Sequence, residues 1–387
     1  MNADSRPHTP VSTATSLPLS GVRILDLSSL LPGPLGTLML AEAGAEVLKV
    51  ERPGSGDEMR SYEPRFADTS ANYAILNRGK RAIAADLKDP GQRDRILDLA
   101  RTADVVVEQF RPGVADRLGL GFADVHAVNS RVVYCSISGY GARGNNAGKA
   151  GHDLNYQAES GILGVVCDGL GNPMLPVAVI ADIAGGTYPA VVNILLALRM
   201  RDRTGQGTHI EVSMTHNLQL LSYGYYASHQ VTGDWPRPNQ ELLTGGSPRY
   251  RIYRTADDRH VAVAALEEKF WVRLLELIGL DGRYRDEAGL EVETITALAE
   301  RFLERPAAHW RELFEGEDVC ATVVATFEEA EARGLVVDDS EHRIKGPNGA
   351  ETMSALPTPI AAALRRPAGV VLYPALKTEA SAAWTDS

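Results

Sequence analysis

Residues 19–57 read LSGVRILDLSSLLPGPLGTLMLAEAGAEVLKVERPGSGD, and they carry the clearest fold signal in the chain. It begins with the short apolar run RILDL (23–27), passes through a loop rich in Pro and Gly into TLMLAE (37–42), and ends with EVLKV (46–50). Short β-branched runs favour strands, whereas the apolar segment between them favours a helix. The order strand, helix, strand predicts a βαβ unit.

The same alternation continues along the chain. RAIAADL (81–87), DVVVEQF (104–110) and RVVYCSISGYG (131–141) are strand candidates, separated by helix candidates over 89–103 and 113–129. Alternating strands and helices of this kind form a mostly parallel sheet with helices on its faces. The chain is therefore predicted to belong to the α/β class, with a large Rossmann-like domain built on an open parallel sheet.

A Pro-rich connection after Trp235 marks the predicted domain boundary. It is followed by a hairpin candidate, YRIYRTADDRHVAVAAL (250–266), and by two amphipathic helix candidates, which together predict a small α+β domain. The predicted organisation is a disordered leader over 1–16, a large domain over 17–228, a small domain over 229–325 and a C-terminal segment over 326–387 that returns to the large domain.

Composition excludes several classes of protein. The formal net charge of −11 argues against a nucleic-acid surface, which needs clustered Lys and Arg. The three cysteines have no CxxC pair and no metal-ligand spacing. This predicts a protein of the reducing cytoplasm that binds no metal. A long apolar helix is predicted over 176–207, but Asp182, Gly185 and Pro189 interrupt it, so no membrane span is predicted.

The first candidate site combines His152 and Asp153, in AGHDLNY, with Asp182, in VAVIADIAGG. All three lie at the entry to an apolar segment or within one. Ionisable groups in such settings either find partners or shift their pKa, and catalytic pKa values near neutrality become attainable. The alternative is structural: His152 and Asp153 cap a helix and Asp182 satisfies a buried amide.

The second candidate is a set of basic residues near strand ends: Arg52, Arg78, Lys80, Arg81 and Arg111. Ligands of open α/β sheets collect at the carboxyl ends of the strands, where phosphate groups are bound by Arg, Lys and free amides. An anionic, nucleotide-like ligand is predicted there. Taken singly, each of these residues can equally be a solvated surface charge.

A third group is less specific. Glu267 follows the strand candidate HVAVAAL and Tyr250 precedes it, so a carboxylate and a phenol lie at strand ends, where they either orient a histidine or face solvent. The chain has no GxSxG nucleophile motif, and Gly33 and Gly36, which follow the first strand candidate, lack the GxGxxG spacing. Hydride transfer is therefore disfavoured.

From about residue 19 to 280 the sequence resembles the family III CoA-transferase (CaiB/BaiF) superfamily, which includes α-methylacyl-CoA racemases. The segments that carry this resemblance are 19–57, NRGKRAIAADLK, VVVEQFRPGVADRLGLG, AGHDLNY, DIAGG and YRTADDRHVAVAALEEKFW. The resemblance implies a large and a small domain in an interlocked homodimer, with each active site formed between domains of different subunits.

The resemblance also implies an acyl-CoA substrate and no cofactor beyond its CoA moiety. It places CoA along the large domain, with contacts expected from Arg52, Arg78, Lys80, Arg81, Arg111 and Asp153. Racemases of the superfamily read GHDxNY, as this chain does at 151–156, which favours two-base proton transfer by His152 and Asp182. Glu267 is expected to hold the His152 tautomer and Tyr250 to assist Asp182.

Two alternatives stay open. In a CoA-transferase, Asp182 acts as a nucleophile that forms an acyl anhydride and then an aspartyl-CoA thioester. A relative that binds acyl-CoA without catalysis is the third possibility.

Overall fold

Strands and helices alternate as expected in the computed structural model, which describes residues 17–335, 339–349, 351–376 and Trp384. The predicted leader over 1–16 lies outside these residues. The strands are β1 (Arg23–Leu27), β2 (Glu46–Glu51), β3 (Arg65–Phe66), β4 (Thr69–Ser70), β5 (Arg81–Ala84), β6 (Val105–Glu108), β7 (Val133–Ser138), β8 (Thr208–Ser213), β9 (Tyr250–Arg254), β10 (His260–Ala264), β11 (Ala321–Val323), β12 (Asp339–Lys345), β13 (Thr352–Ala355) and β14 (Gly369–Leu372).

The helices are α1 (Pro32–Glu42), α2 (Ala71–Asn77), α3 (Pro90–Ala100), α4 (Val114–Arg117), α5 (Phe122–Val128), α6 (Asp153–Glu159), α7 (Tyr188–Thr204), α8 (Met214–Asn217), α9 (Tyr223–Thr232), α10 (Glu268–Ile278), α11 (Glu291–Leu303), α12 (Ala307–Phe314) and α13 (Phe327–Ala332). Helix α3 matches its predicted segment over 89–103, whereas the segment predicted as one helix over 113–129 forms the two short helices α4 and α5. A π-helical turn, Ala181–Thr187, leads directly into α7.

The central sheet has six strands in the order β5-β2-β1-β6-β7-β8, and every pair is parallel. Ile24, Leu25, Val105 and Val106 are almost fully buried although neighbouring residues face opposite sides of the sheet. Burial on both faces is typical of parallel sheets covered by helices. The predicted α/β class with a large parallel sheet is confirmed.

The chain divides into two units, each built from separate segments. Unit 1 comprises the described residues up to His152, Ile180–Asn217 and the described residues from 339 on; unit 2 comprises Asp153–Val179 and the described residues 218–335. We predicted that the large domain ends at residue 228, whereas the chain passes from unit 1 to unit 2 after Asn217. Segment Asp153–Val179 also differs, since we predicted it in the large domain. A prediction that assigns consecutive residues to one domain does not detect a segment of unit 2 that lies between two segments of unit 1.

Unit 2 has its own core. The antiparallel sheet β11-β10-β9 contributes Val261 and Val263, against which Trp271 of α10 and Phe302 of α11 pack. Tyr250 is paired with Ala264 across β9 and β10, as expected of the predicted hairpin. Unit 2 thus combines helices with an antiparallel sheet.

The helix from Ala181 to Thr204 is long and apolar enough to cross a membrane by length and composition, but about half of its apolar window is buried within the protein. Helix α7 packs on α1, β7 and β8 through residues that include Ile194 and Leu198. Because buried core helices also meet those two criteria, this single helix is weak evidence for a membrane span.

Candidate active site

Asp182 occupies the second position of the π-helical turn, and its side chain is partly exposed. Such turns are rare and occur frequently at functional sites. Hydrogen bonds with other segments help to hold the turn: Asn217 Nδ2 donates to the Gly185 carbonyl at 2.7 Å, and Thr187 Oγ1 donates to the Pro32 carbonyl at 2.8 Å. The backbone that carries Asp182 is therefore held from two other segments of unit 1.

Two glycines make this turn possible. A Cβ atom at Gly185 would lie 2.3 Å from the Met214 carbonyl oxygen, and one at Gly186 would lie 3.1 Å from Pro32 Cβ. Real Cβ contacts are essentially never as short as the first of these. The DIAGG segment was recognised by its resemblance, but its sequence alone does not predict a π-helical turn.

His152 and Asp153 are adjacent in sequence but differ in environment. His152 is exposed and directly precedes α6, whereas Asp153 is the first residue of α6 and only 8% exposed. The Asp153 carboxylate accepts a hydrogen bond from Gln157 Nε2 at 2.5 Å. An accessible imidazole suits the predicted base, while the predicted contact of Asp153 with CoA stays a prediction.

Arg52 lines a cleft of about 410 Å³ at the carboxyl ends of β1, β2 and β5. Its guanidinium contacts Glu58 Oε1 at 2.7 Å and donates to the Gly56 carbonyl at 3.0 Å. Lys88, which we did not predict, lines the same cleft, and its position directly after the strand candidate 81–87 was the signal that would have found it. Phe110 is also among the lining residues. The two cations share the lining with four carboxylates, those of Glu51, Asp57, Glu58 and Asp86, and the size of the cleft suits part of a nucleotide.

Arg78, Lys80 and Arg81 occupy a different position from the one that we expected. They precede or begin β5, so their backbones lie at the amino end of that strand. The Arg78 guanidinium pairs with Glu42, and burial lowers the pKa of Lys80 to about 7. Arg81 Nη1 pairs with Glu46 Oε1 at 2.9 Å.

The premise that all five basic residues cluster at carboxyl strand ends was therefore wrong for these three residues. The Lys80 side chain is fully buried, and its Nζ lies within 3.0 Å of the Pro34 carbonyl, Thr37 Oγ1 and Asn77 Oδ1. The ammonium group of Lys80 thus donates its hydrogen bonds to acceptors within the protein. The contacts of Arg78, Lys80 and Arg81 with CoA stay predictions that this placement does not favour.

Arg111, which follows β6, is exposed and lines a smaller cavity of about 110 Å³. In that cavity Glu108 accepts the Phe110 amide at 2.8 Å, and Ser136 Oγ lies 3.0 Å from His209 Nε2. Burial raises the pKa of Glu108 and lowers the pKa of His209. Sequence analysis missed this cluster because its members come from three different strands, β6, β7 and β8.

Tyr250 and Glu267 both lie in unit 2. Tyr250 begins β9 and is paired with Ala264, the last residue of β10. Glu267 lies three residues after Ala264 and directly precedes α10. Both residues are therefore at the same end of the small antiparallel sheet. The Glu267 side chain is exposed and makes no capping bond, whereas Tyr250 is partly buried. Their predicted roles stay predictions.

Comparison with known proteins gives a consistent result. The model of "CoA-transferase family III" matches residues 19–369. The alpha-methylacyl-CoA racemase of Homo sapiens is 36% identical over 318 residues, 80% of this chain and 78% of the racemase. The succinyl-CoA:glutarate CoA-transferase of Mus musculus is also 36% identical, over 80% of this chain and 73% of the transferase.

A solved CAIB/BAIF family protein from Brucella suis has a TM-score of 0.74 and 28% identity over 90% of this chain and 93% of its own. The predicted resemblance is confirmed, and so is the prediction of an enzyme that is either an acyl-CoA racemase or a CoA-transferase. Equal identity to both enzymes does not separate these two activities. The chain belongs to CoA-transferase family III.

Proposed function

We propose that this protein racemises 2-methylacyl-CoA thioesters at the α-carbon, with His152 and Asp182 as the two bases. The observation that carries the proposal is the GHDLNY segment (151–156), whose histidine is exposed directly before α6. The partial exposure of Asp182 on its π-helical turn supports the same assignment. Both residues belong to unit 1.

The chemistry begins at the thioester carbonyl, which acidifies the neighbouring C–H bond. The neutral His152 imidazole takes the α-proton, and the electron pair of that bond moves into the enolate, whose oxygen becomes negative. Asp182, in its protonated form, then delivers its proton to the opposite face of the α-carbon. In each transfer the catalytic group must lie within about 3 Å of the proton that it removes or delivers. Such groups typically raise the reaction rate by about 10²- to 10⁴-fold.

After one inversion His152 is protonated and Asp182 is ionised, so the opposite enantiomer is processed in the reverse direction. Backbone amides near Asp153 or at the Gly185–Gly186 turn are the proposed donors to the enolate oxygen, which needs preorganised hydrogen bonds. Glu267 is proposed to hold the His152 tautomer and Tyr250 to assist Asp182. The CoA nucleotide is proposed to lie in the cleft at Arg52, with Arg111 as a further phosphate contact.

CoA transfer is the second candidate, favoured by the 36% identity to a succinyl-CoA:glutarate CoA-transferase. Here the Asp182 carboxylate attacks the donor thioester, expels the CoA thiolate and forms a mixed anhydride. The thiolate then attacks the aspartyl carbonyl, which releases the donor acid and leaves aspartyl-CoA thioester. The acceptor carboxylate then attacks the aspartyl-CoA thioester, which expels the CoA thiolate and forms a second anhydride between Asp182 and the acceptor acid. The thiolate finally attacks the acceptor acyl carbonyl, which gives the new acyl-CoA and restores the Asp182 carboxylate.

Incubation with one enantiomer of a 2-methylacyl-CoA in deuterated water tests the proposal. A racemase is expected to incorporate α-deuterium and to form both enantiomers without any acceptor acid. Chiral chromatography with mass spectrometry measures both quantities. Exchange that requires a free carboxylate, together with an enzyme adduct that hydroxylamine traps, would instead assign CoA transfer.

We also propose that the active protein is a homodimer, as the family resemblance implies. Several apolar side chains of unit 2 are more than three-quarters exposed, among them Leu170, Leu175, Val177, Leu220 and Val231. Contiguous exposed apolar surface marks association sites. In light scattering the particle mass is expected to be twice the 41.7 kDa of one chain; a particle of 41.7 kDa at assay concentration would contradict the proposal.

A further inference from the structure

A buried ion pair lies beneath the Arg52 cleft. Lys49 Nζ of β2 is 3.0 Å from Asp57 Oδ2, and the two side chains are 0% and 1% exposed. Asp26 of β1 completes the buried cluster: both Lys49 and Lys80 lower the pKa of Asp26, to about 2, although burial alone would raise it. Burying such charges is costly, and they are retained where each makes several specific contacts.

Each member of the pair contacts the backbone of a loop. Lys49 Nζ donates to the Ser28 carbonyl at 2.6 Å, in the loop between β1 and α1. The Asp57 carboxylate accepts the Leu30 amide of that loop at 3.1 Å and the Met59 amide at 3.0 Å. The pair therefore joins the loop after β1 to the loop after β2.

The conformation of Leu30 shows that this connection is specific. Its φ is +61°, in the left-handed region that residues other than glycine rarely adopt. Such conformations persist where surrounding contacts impose them, and they cluster at ligand-binding segments. The Leu30 amide makes its hydrogen bond to Asp57 from this conformation.

Both loops contribute walls to the cleft. Ser28 and Ser29 line it from the loop after β1, whereas Arg52, Gly56 and Glu58 line it from the loop after β2. The ion pair lies between these walls and contributes Asp57 itself to the lining. A change in the pair changes the separation of the walls before it changes any residue that contacts the acyl group.

We infer that Lys49 and Asp57 are positioning residues that set the width of the cleft for the nucleotide end of CoA. This inference rests on the proposed function, because it takes acyl-CoA as the substrate. An apolar pair of similar volume would not replace these residues, because it leaves the Ser28 carbonyl and the Leu30 and Met59 amides without their partners.

The test compares two substrates that share the reacting group. Asp57→Asn keeps an oxygen for the two amides but removes the attraction to Lys49, and Lys49→Met removes the cation. With a 2-methylacyl-CoA, both variants are expected to raise KM, and the Kd for free CoA measured by calorimetry, by about tenfold, the change that a loss of about 1.4 kcal/mol of binding free energy produces. With the acyl-pantetheine thioester, which lacks the nucleotide, kcat/KM is expected to stay unchanged.

Arg201→Met is the matched control, because it removes another largely buried ion pair of unit 1, with Asp104 at 2.8 Å, away from the cleft. It is expected to lower the urea midpoint while leaving CoA affinity unchanged. Wild-type affinity for CoA in Asp57→Asn, or an equal loss with acyl-pantetheine, would overturn the inference. Failure of the wild-type protein to bind CoA would instead overturn the proposed function. If Lys49→Met does not fold, the near-isosteric Asp57→Asn decides the question.

Discussion

Replacing Asp182 by Asn is expected to lower turnover by about 10²- to 10⁴-fold, because the amide neither donates a proton to an enolate nor attacks a thioester. The loss is expected in racemisation and in CoA transfer alike, since both mechanisms use this carboxylate. The fold is expected to persist, because Asn has nearly the same volume and the turn is held through Gly185, Thr187 and Asn217. Deuterium incorporation and acyl exchange measure the two activities.

The control for this variant is Asp202→Asn, which removes an exposed carboxylate from the α7 end of the same continuous helix. It is expected to leave kcat and KM unchanged. An Asp182→Asn protein with activity within about threefold of wild type would remove Asp182 from both mechanisms, since even modest general acid–base catalysis exceeds that factor.

Replacing His152 by Gln is expected to produce the second large effect and to separate the two activities. Racemisation should fall by about 10²- to 10⁴-fold, because one of two bases is lost. Deuterium exchange should continue slowly for only one enantiomer, the one whose α-hydrogen faces Asp182. In a CoA-transferase the same substitution leaves acyl exchange nearly unchanged.

The measurement follows α-deuterium incorporation separately for the R and S thioesters. His309→Gln, an exposed histidine on α12, is the matched control and is expected to behave as wild type. Equal exchange of both enantiomers by the His152→Gln protein would show that His152 is not a base. The proposed racemase mechanism would then be wrong even if Asp182 proved essential.

Sequence analysis predicted the central sheet well because local signals agree with the fold there. The apolar runs at β1, β2, β6 and β7 are short, β-branched and separated by segments of helical length. Parallel pairing follows from that alternation, since a helical crossover returns the chain in the same direction. Resemblance then supplied the site residues, which no periodicity distinguishes from ordinary polar positions.

Other features depend on contacts between distant residues and were not predicted. The π-helical turn at Asp182 depends on Asn217, and the burial of Lys80 depends on Asn77, Thr37 and Asp26. For residues 78–81, the order along the chain already indicated at which end of the strand they lie. They precede the strand, so they start from its amino end, whereas the segments that contain Arg52 and Arg111 follow β2 and β6.

Unit 1 is completed only by residues near the end of the chain. The side chains of Tyr73 and Leu76 on α2 pack with Ile344 of β12 and with Tyr373. On the ribosome, Tyr373 emerges about 300 residues after Tyr73, which at about 5–20 residues per second means a delay of roughly 15–60 s. During synthesis the nascent chain therefore carries an uncovered apolar patch on α2, a surface of the kind that chaperones bind.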